Sequence, residues 1–134
     1  MKRLTRLAAL VWASPYSLIG LTIGAIGLAT GGGGRVRDGV AEFHGGLPSW
    51  VVRHSPLRDL CGAITLGHTV IGQTEADLDY AHDHEMVHVR QFERWGPLMG
   101  PAYLGASLIV WISGGRAYLD NPFEKEAYGS ESVD

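Results

Sequence analysis

Two long uncharged stretches dominate the hydropathy pattern of this chain. Residues 7–30 (LAALVWASPYSLIGLTIGAIGLAT) run 24 positions without a charged side chain, and residues 98–115 (LMGPAYLGASLIVWISGG) run 18. About 20 apolar residues cross the hydrocarbon core of a bilayer. The first stretch therefore reads as an N-terminal membrane helix, with Lys2, Arg3 and Arg6 at one flank and Trp12 and Tyr16 placed for the interface. A cleaved signal peptide and a buried core helix are the competing readings. The only cleavage pattern, Gly27-Leu28-Ala29, is poor, and a chain this short can hardly cover such a helix on all sides. Gly20 and Gly24 form a GxxxG pair that allows close helix contact. In the second stretch Pro101 and the glycines weaken the start. That leaves residues 102–113 as an embedded apolar helix, borderline for a crossing.

Between these stretches the period changes. The four glycines 31–34 read as a flexible hinge closing a unit of residues 1–34, and residues 35–134 form the second unit. Residues 35–43 read as one short strand, with His44-Gly45-Gly46 as a turn, and residues 50–52 as another strand. Residues 63–66 and 69–71 read as two apolar strands joined by a tight Gly67-His68 hairpin. Residues 79–95 turn helical, and Gly96-Pro97 stops the helix. Residues 131–134 read as a frayed tail. The class expected is α+β.

Composition narrows the function. The chain is 46% apolar and only 19% charged, with a net charge of -3; a nucleic-acid binder would normally carry a basic face, so none is expected as a partner. The charge is uneven, basic before Asp38 and acidic after residue 117. Cys61 is the single cysteine, which excludes an intrachain disulfide framework and reads as a small apolar filler.

The chemistry lies in His84-Glu85-Met86-Val87-His88, an HExxH motif. On a helix, positions i and i+4 share a face, so both imidazoles reach one ion. Zinc suits nitrogen and carboxylate ligands in an open site. Glu85 is placed beside the first histidine as general base toward the metal-bound water. Downstream, Asn121-Pro122 reads as a helix start, so Glu124 projects from a second helix 36 residues after His88. His82 lies on another helix face and is a weak surplus ligand. His44, His54 and His68 read as surface histidines in turns. Arg90 and Gln91 continue the metal helix, either inside the site or on a solvated face. Tyr103 and Tyr118 read first as interfacial or core aromatics and second as hydroxyls for an oxyanion.

These residues resemble the zincin metallopeptidases, specifically the gluzincin type, whose third ligand is a glutamate on a later helix, often in an ExxA spacing. Glu124 and Ala127 fit that spacing; Glu126 ranks second. The family commonly has aspartate at the next position, orienting a ligand histidine, and here Tyr128 stands there. Residues 80–128 are also similar to small bacterial membrane-associated proteins with an HExxHxRQ core. The resemblance implies a mini-zincin: an N-terminal membrane helix, a small sheet, an HExxH metal helix and a C-terminal ligand helix. It implies Zn2+ held by His84, His88 and Glu124, hydrolysis of a peptide or protein substrate with Glu85 as base, and a place at the bacterial inner membrane in contact with the lipid bilayer. The alternative is a non-catalytic membrane protein with a structural or degenerate metal site. Shared ligation adds one constraint: if Glu124 meets His84 and His88 at one ion, residues 98–115 cannot make a single complete crossing between them.

Overall fold

A computed structural model describes residues 3–55 and 62–131, with backbone only for 129–131. Cys61 and the last residues of the tail lie outside the described residues. The expected 24-residue helix is two helices, α1 (Arg3–Trp12) and α2 (Ser14–Ala29), bent by 71°. Pro15 explains the break: it has no N–H for the helical ladder and its ring clashes with the carbonyl four residues back. That carbonyl, Val11 O, accepts instead from Ser14 Oγ at 2.7 Å.

The glycines 31–34 are not a loose hinge. Gly33 and Gly34 open strand β1 (Gly33–Arg37), which pairs antiparallel with β2 (Val40–His44). The residues expected to form one strand thus form a hairpin. Asp38 and Gly39 make its turn with φ of 54° and 77°, the left-handed pair a two-residue turn of this twist requires. Residues 50–52, expected as a strand, lie inside helix α3 (Gly46–Arg53), whose Pro48 sits in the first turn where its missing N–H costs nothing. Strands β3 (Ala63–Leu66) and β4 (Thr69–Gly72) form the expected hairpin, with Gly67 at φ 63°. The sheet order is β1-β2-β4-β3, antiparallel except for the parallel β2–β4 pair.

Alternation along the strands divides the sheet into two faces. Gly20 and Gly24 of α2 rest on the side chains of Thr69 and Phe43, and Gly27 on Pro48, with no room for a methyl group at any of the three. The GxxxG face is thus turned to the protein's own sheet. The next residues along the strands point the other way. Val40, Ala63 and Val70 pack with Leu78 and Val89 of α4 (Glu75–Trp95). Thr74 caps α4 by accepting the Asp77 N–H at 3.1 Å, so the helix begins four residues earlier than expected. It ends at Gly96, φ 56°.

A 3-10 turn (Gly96–Leu98) leads into α5 (Met99–Ile112), whose exposed side chains are mostly apolar. Together the continuous helical run Glu75–Ile112 is, through its α5 end, long and apolar enough to cross a membrane by length and composition. The chain then comes back along α5. Ser107 Oγ donates to Ala117 O at 2.9 Å, and the buried Asn121 Nδ2 donates to Tyr103 O at 3.0 Å and Ser107 Oγ at 2.7 Å. Asn121 Oδ1 accepts from Phe123 N–H at 2.8 Å and so starts α6 (Pro122–Glu131) at the expected Asn-Pro. The fold class is α+β.

Candidate metal centre

The second half of α4 and the first turn of α6 face each other, and their apposition assembles the site. His84 Nε2 lies 2.9 Å and His88 Nε2 3.0 Å from Glu124 Oε1, and the two imidazole nitrogens are 3.3 Å apart. All three residues are buried and could hold a metal ion. Ligands about 2.0–2.1 Å from a tetrahedral zinc lie roughly 3.3 Å from one another; the two imidazoles stand at that separation, and each contact with Glu124 is closer, at 2.9 and 3.0 Å. The three residues named from the sequence as candidate ligands lie on elements that the structure brings together.

Two of the three candidate ligands, His88 and Glu124, are held from behind by hydrogen bonds. His88 Nδ1–H donates to Gln91 Oε1 at 2.8 Å, which leaves Nε2 turned to the group. Gln91 is itself fixed, because its Nε2 donates to Phe123 O at 3.0 Å and Glu126 Oε1 at 2.8 Å. Glu126, the second-ranked ligand, is therefore a partner of Gln91 outside the metal group. Tyr103 OH donates to Glu124 Oε2 at 2.6 Å, so this tyrosine orients a ligand. The ring of Tyr128 packs edge-on against His84 at 4.5 Å; its hydroxyl goes to Tyr118 OH at 3.3 Å. Tyr128 thus gives His84 an aromatic wall. Arg90 is exposed on the far side of α4.

The charges are coupled. Burial pulls the His88 imidazolium down, but its hydrogen bond to Glu124, the charges of Glu85 and Glu124 and the bond to Gln91 outweigh this and raise its pKa to about 9. Burial likewise pushes Glu124 up, and hydrogen bonds from His84, His88 and Tyr103 together with the His88 charge bring it down to about 2. Without metal, a proton shared among these groups supplies the positive charge that an ion would bring. Glu85 is buried beside them and its pKa is raised, first by burial and then by Glu124, against the lowering effects of His88, Thr65 and His84. Thr65 of β3 donates to Glu85 Oε2.

A cavity of about 240 Å³ opens in front of Glu85, His88 and Glu124. Its far wall is apolar, with Leu66, Phe92, Met99 and Leu104, and Tyr118 lines it too. Strand β3 pairs with β4 along one flank and, among the described residues, carries no strand on the other; Ile64 and Leu66 line the cavity there.

The remaining histidines stand apart. His82 Nε2 meets Asp38 at 2.8 Å on the other side of α4 and does not reach the metal group. His54 is exposed and stacks on Trp50, and His44 lies 4.0 Å from Glu75. His68 departs from the surface reading: it is largely covered, and its Nε2 pairs with Glu93 at 2.9 Å. Thr65, Gln91 and Tyr103 are the site residues with the least sequence signal. Only Gln91 had a local cue, three positions past His88 on the same helix face. Set against known proteins, the chain matches no family model, no curated protein sequence and no solved structure.

Proposed function

We propose that the protein is a membrane-associated zinc metallohydrolase acting on peptide bonds. The observation that carries the reading is the convergence of His84, His88 and Glu124 on one point beside a buried Glu85, with an apolar cavity in front. Two nitrogens and one carboxylate oxygen match the three-ligand set of catalytic zinc sites, and the gluzincin ligand pattern in particular. When bound there, zinc supplies Lewis-acid polarisation of a carbonyl and of water. The chain's own residues do the rest. Glu85, steadied by Thr65 through Oε2, accepts the proton that attacking water gives up. Gln91 and Tyr103 keep His88 and Glu124 turned to the site. A peptide is favoured because the flank of β3 that carries no strand among the described residues offers backbone groups to an extended chain at the rim of the cavity. The exposed apolar side chains of α2 and α5 support membrane association.

Burial of all three ligands also suits a structural metal, and Glu85→Gln separates the two. The swap keeps size and removes the base. Zinc content should persist while hydrolysis of a casein-type substrate and turnover of membrane proteins in the host fall by roughly 10²–10⁴. Equal behaviour of both forms in every assay, with zinc retained, would leave a structural metal.

A further inference from the structure

The membrane reading leaves open how the chain meets the bilayer, and three observations answer together. First, three adjoining helices expose large apolar side chains. Leu7 and Val11 on α1, Leu18 and Ile19 on α2, and Ile109 and Trp111 on α5 are all exposed. The bend between α1 and α2 is pinned to the start of α5: Trp12 Nε1 donates to Arg94 O at 3.4 Å, and Tyr16 OH donates to Pro97 O at 3.0 Å while accepting from Gly100 N–H at 2.9 Å.

Second, α2 and α5 are each too short to cross alone, and the longer helical run that α5 continues carries Arg90, Glu93 and Arg94 just ahead of its apolar end. α2 has 16 residues and α5 has 14, about 24 and 21 Å against a core of about 30 Å. The inner face of α2 is occupied by the sheet at Gly20 and Gly24 and by Pro48 of α3 at Gly27. Ser17 Oγ accepts from His68 N–H at 2.9 Å, and behind that turn lies the His68–Glu93 pair. A crossing α2 would carry these polar groups into hydrocarbon, where they are costly. α5 cannot deliver Glu124 to the far side either, because the chain folds back along it from Gly115, whose N–H donates to Val110 O at 2.8 Å. The Arg116–Asp120 pair sits on this returning segment.

Third, the rim is charged in the right sense. Arg3 and Arg6 are exposed on α1, and no acidic residue precedes Asp38, which complements anionic headgroups.

We propose that the protein is monotopic: α1, the outer face of α2 and the α5 hairpin seat in one leaflet of an anionic bilayer, no segment crosses, and both ends of the described chain stay on the side that holds the metal group. The inference rests on the membrane association proposed above and is independent of hydrolysis. The 71° bend lets α1 and α2 lie in one plane as an interfacial L.

The test uses the full chain in membranes with Cys61→Ser, an N-terminal epitope tag, and a single cysteine from Arg53→Cys or Lys125→Cys. An impermeant maleimide and an external protease, applied to right-side-out and inverted vesicles, should reach the tag and both cysteines from the same side. A tag opposite Arg53→Cys means that α1–α2 crosses, and Arg53→Cys opposite Lys125→Cys means that α5 crosses; either overturns the proposal. A fully soluble chain overturns it together with membrane association, and zinc content and hydrolysis still test the enzyme reading by themselves. In a second arm, Arg3→Ala and Arg6→Ala should each weaken binding to phosphatidylglycerol-containing vesicles roughly five-fold and leave binding to phosphatidylcholine vesicles unchanged. Equal loss on both lipids would overturn the headgroup contact.

Discussion

Glu42 and Glu124 are both carboxylates withdrawn from water, 2% and 4% exposed, and both are packed against α4. Their company differs. Glu42 takes Arg35 Nε at 2.7 Å and Arg37 at 3.5 Å, with His82 Nδ1 also 3.5 Å from its Oε2, and Arg35 reaches on to Asp79 at 2.6 Å and Glu75 at 3.1 Å. Guanidinium is a permanent cation with no lone pair to offer a metal. That cluster is complete, and it clamps the β1–β2 hairpin to the first half of α4. Glu124 instead faces two imidazoles, which are ligands as much as partners. Glu42 is balanced by two guanidiniums whatever His82 does, whereas Glu124 has only imidazoles for its charge partners and leaves a positive charge for a proton or a metal ion to supply.

The largest expected effect separates the two carboxylates outright. Glu124→Ala should abolish stoichiometric zinc in the purified protein, as should His84→Ala and His88→Ala, with affinity falling by more than the roughly 100-fold that loss of an outer partner costs. Glu42→Gln should leave zinc content unchanged and lower stability by about 1–3 kcal/mol. That is below the figure for a fully buried pair, because both arginines keep part of their surface in water. Elemental analysis paired with denaturant melts reads both. Zinc loss in Glu42→Gln, or zinc retained in Glu124→Ala, would erase the distinction.

The pH dependence sharpens the same contrast. With His88 raised to about 9 in the metal-free protein, zinc must displace its proton. Affinity should climb about tenfold per pH unit up to that value, roughly fifty-fold from pH 7 to 9. Calorimetry in buffers of different ionisation enthalpy should register about one proton released near pH 7. The metal-free fold responds with the opposite sign. A raised His88 contributes stability that is complete below its unfolded value of about 6.5 and is lost as pH rises through about 9. The depressed Glu124 contributes above its unfolded value and loses that contribution as pH falls through about 2. No proton release on zinc addition would remove the coupled pair.

Why the ligands were legible and their supports were not follows from where each signal lives. As candidates, His84 and His88 need only helical spacing, and Glu124 needs the Asn121-Pro122 start and, against Glu126, the ExxA spacing of the resemblance, so a few neighbouring residues point to them. Thr65 and Tyr103 reach the site from 20 and 21 positions away in sequence, through packing that no local pattern encodes. In the fold, Asp38-Gly39 announced a hairpin turn that the single-strand reading passed over. Trp50, Val51 and Val52 mislead because aromatic and β-branched residues favour strands, and tertiary packing in α3 overrides that preference. The glycines of α2 announce a close neighbour without saying which one. The neighbour is the sheet, and apolar length alone cannot tell a lipid-facing side from a protein-facing one.

The smallest expected effect concerns the second layer behind His88. Gln91→Ala removes the acceptor that fixes the His88 tautomer, so zinc affinity should fall by about 10–100-fold. Glu126→Ala should cost less. It removes one of two acceptors of the Gln91 amide, and Phe123 O still holds the other bond. One such hydrogen bond is worth about 1 kcal/mol, so affinity should drop roughly five-fold. The order is the informative part. If Glu126 were a ligand, its loss would match that of Glu124 and exceed that of Gln91. If it acts through Gln91, then Gln91→Ala combined with Glu126→Ala should be no worse than Gln91→Ala alone, because the second substitution removes a support for a group already gone. Competition with a chromogenic chelator across the three variants measures this, and additive losses would mean that Glu126 contacts the metal group by its own route.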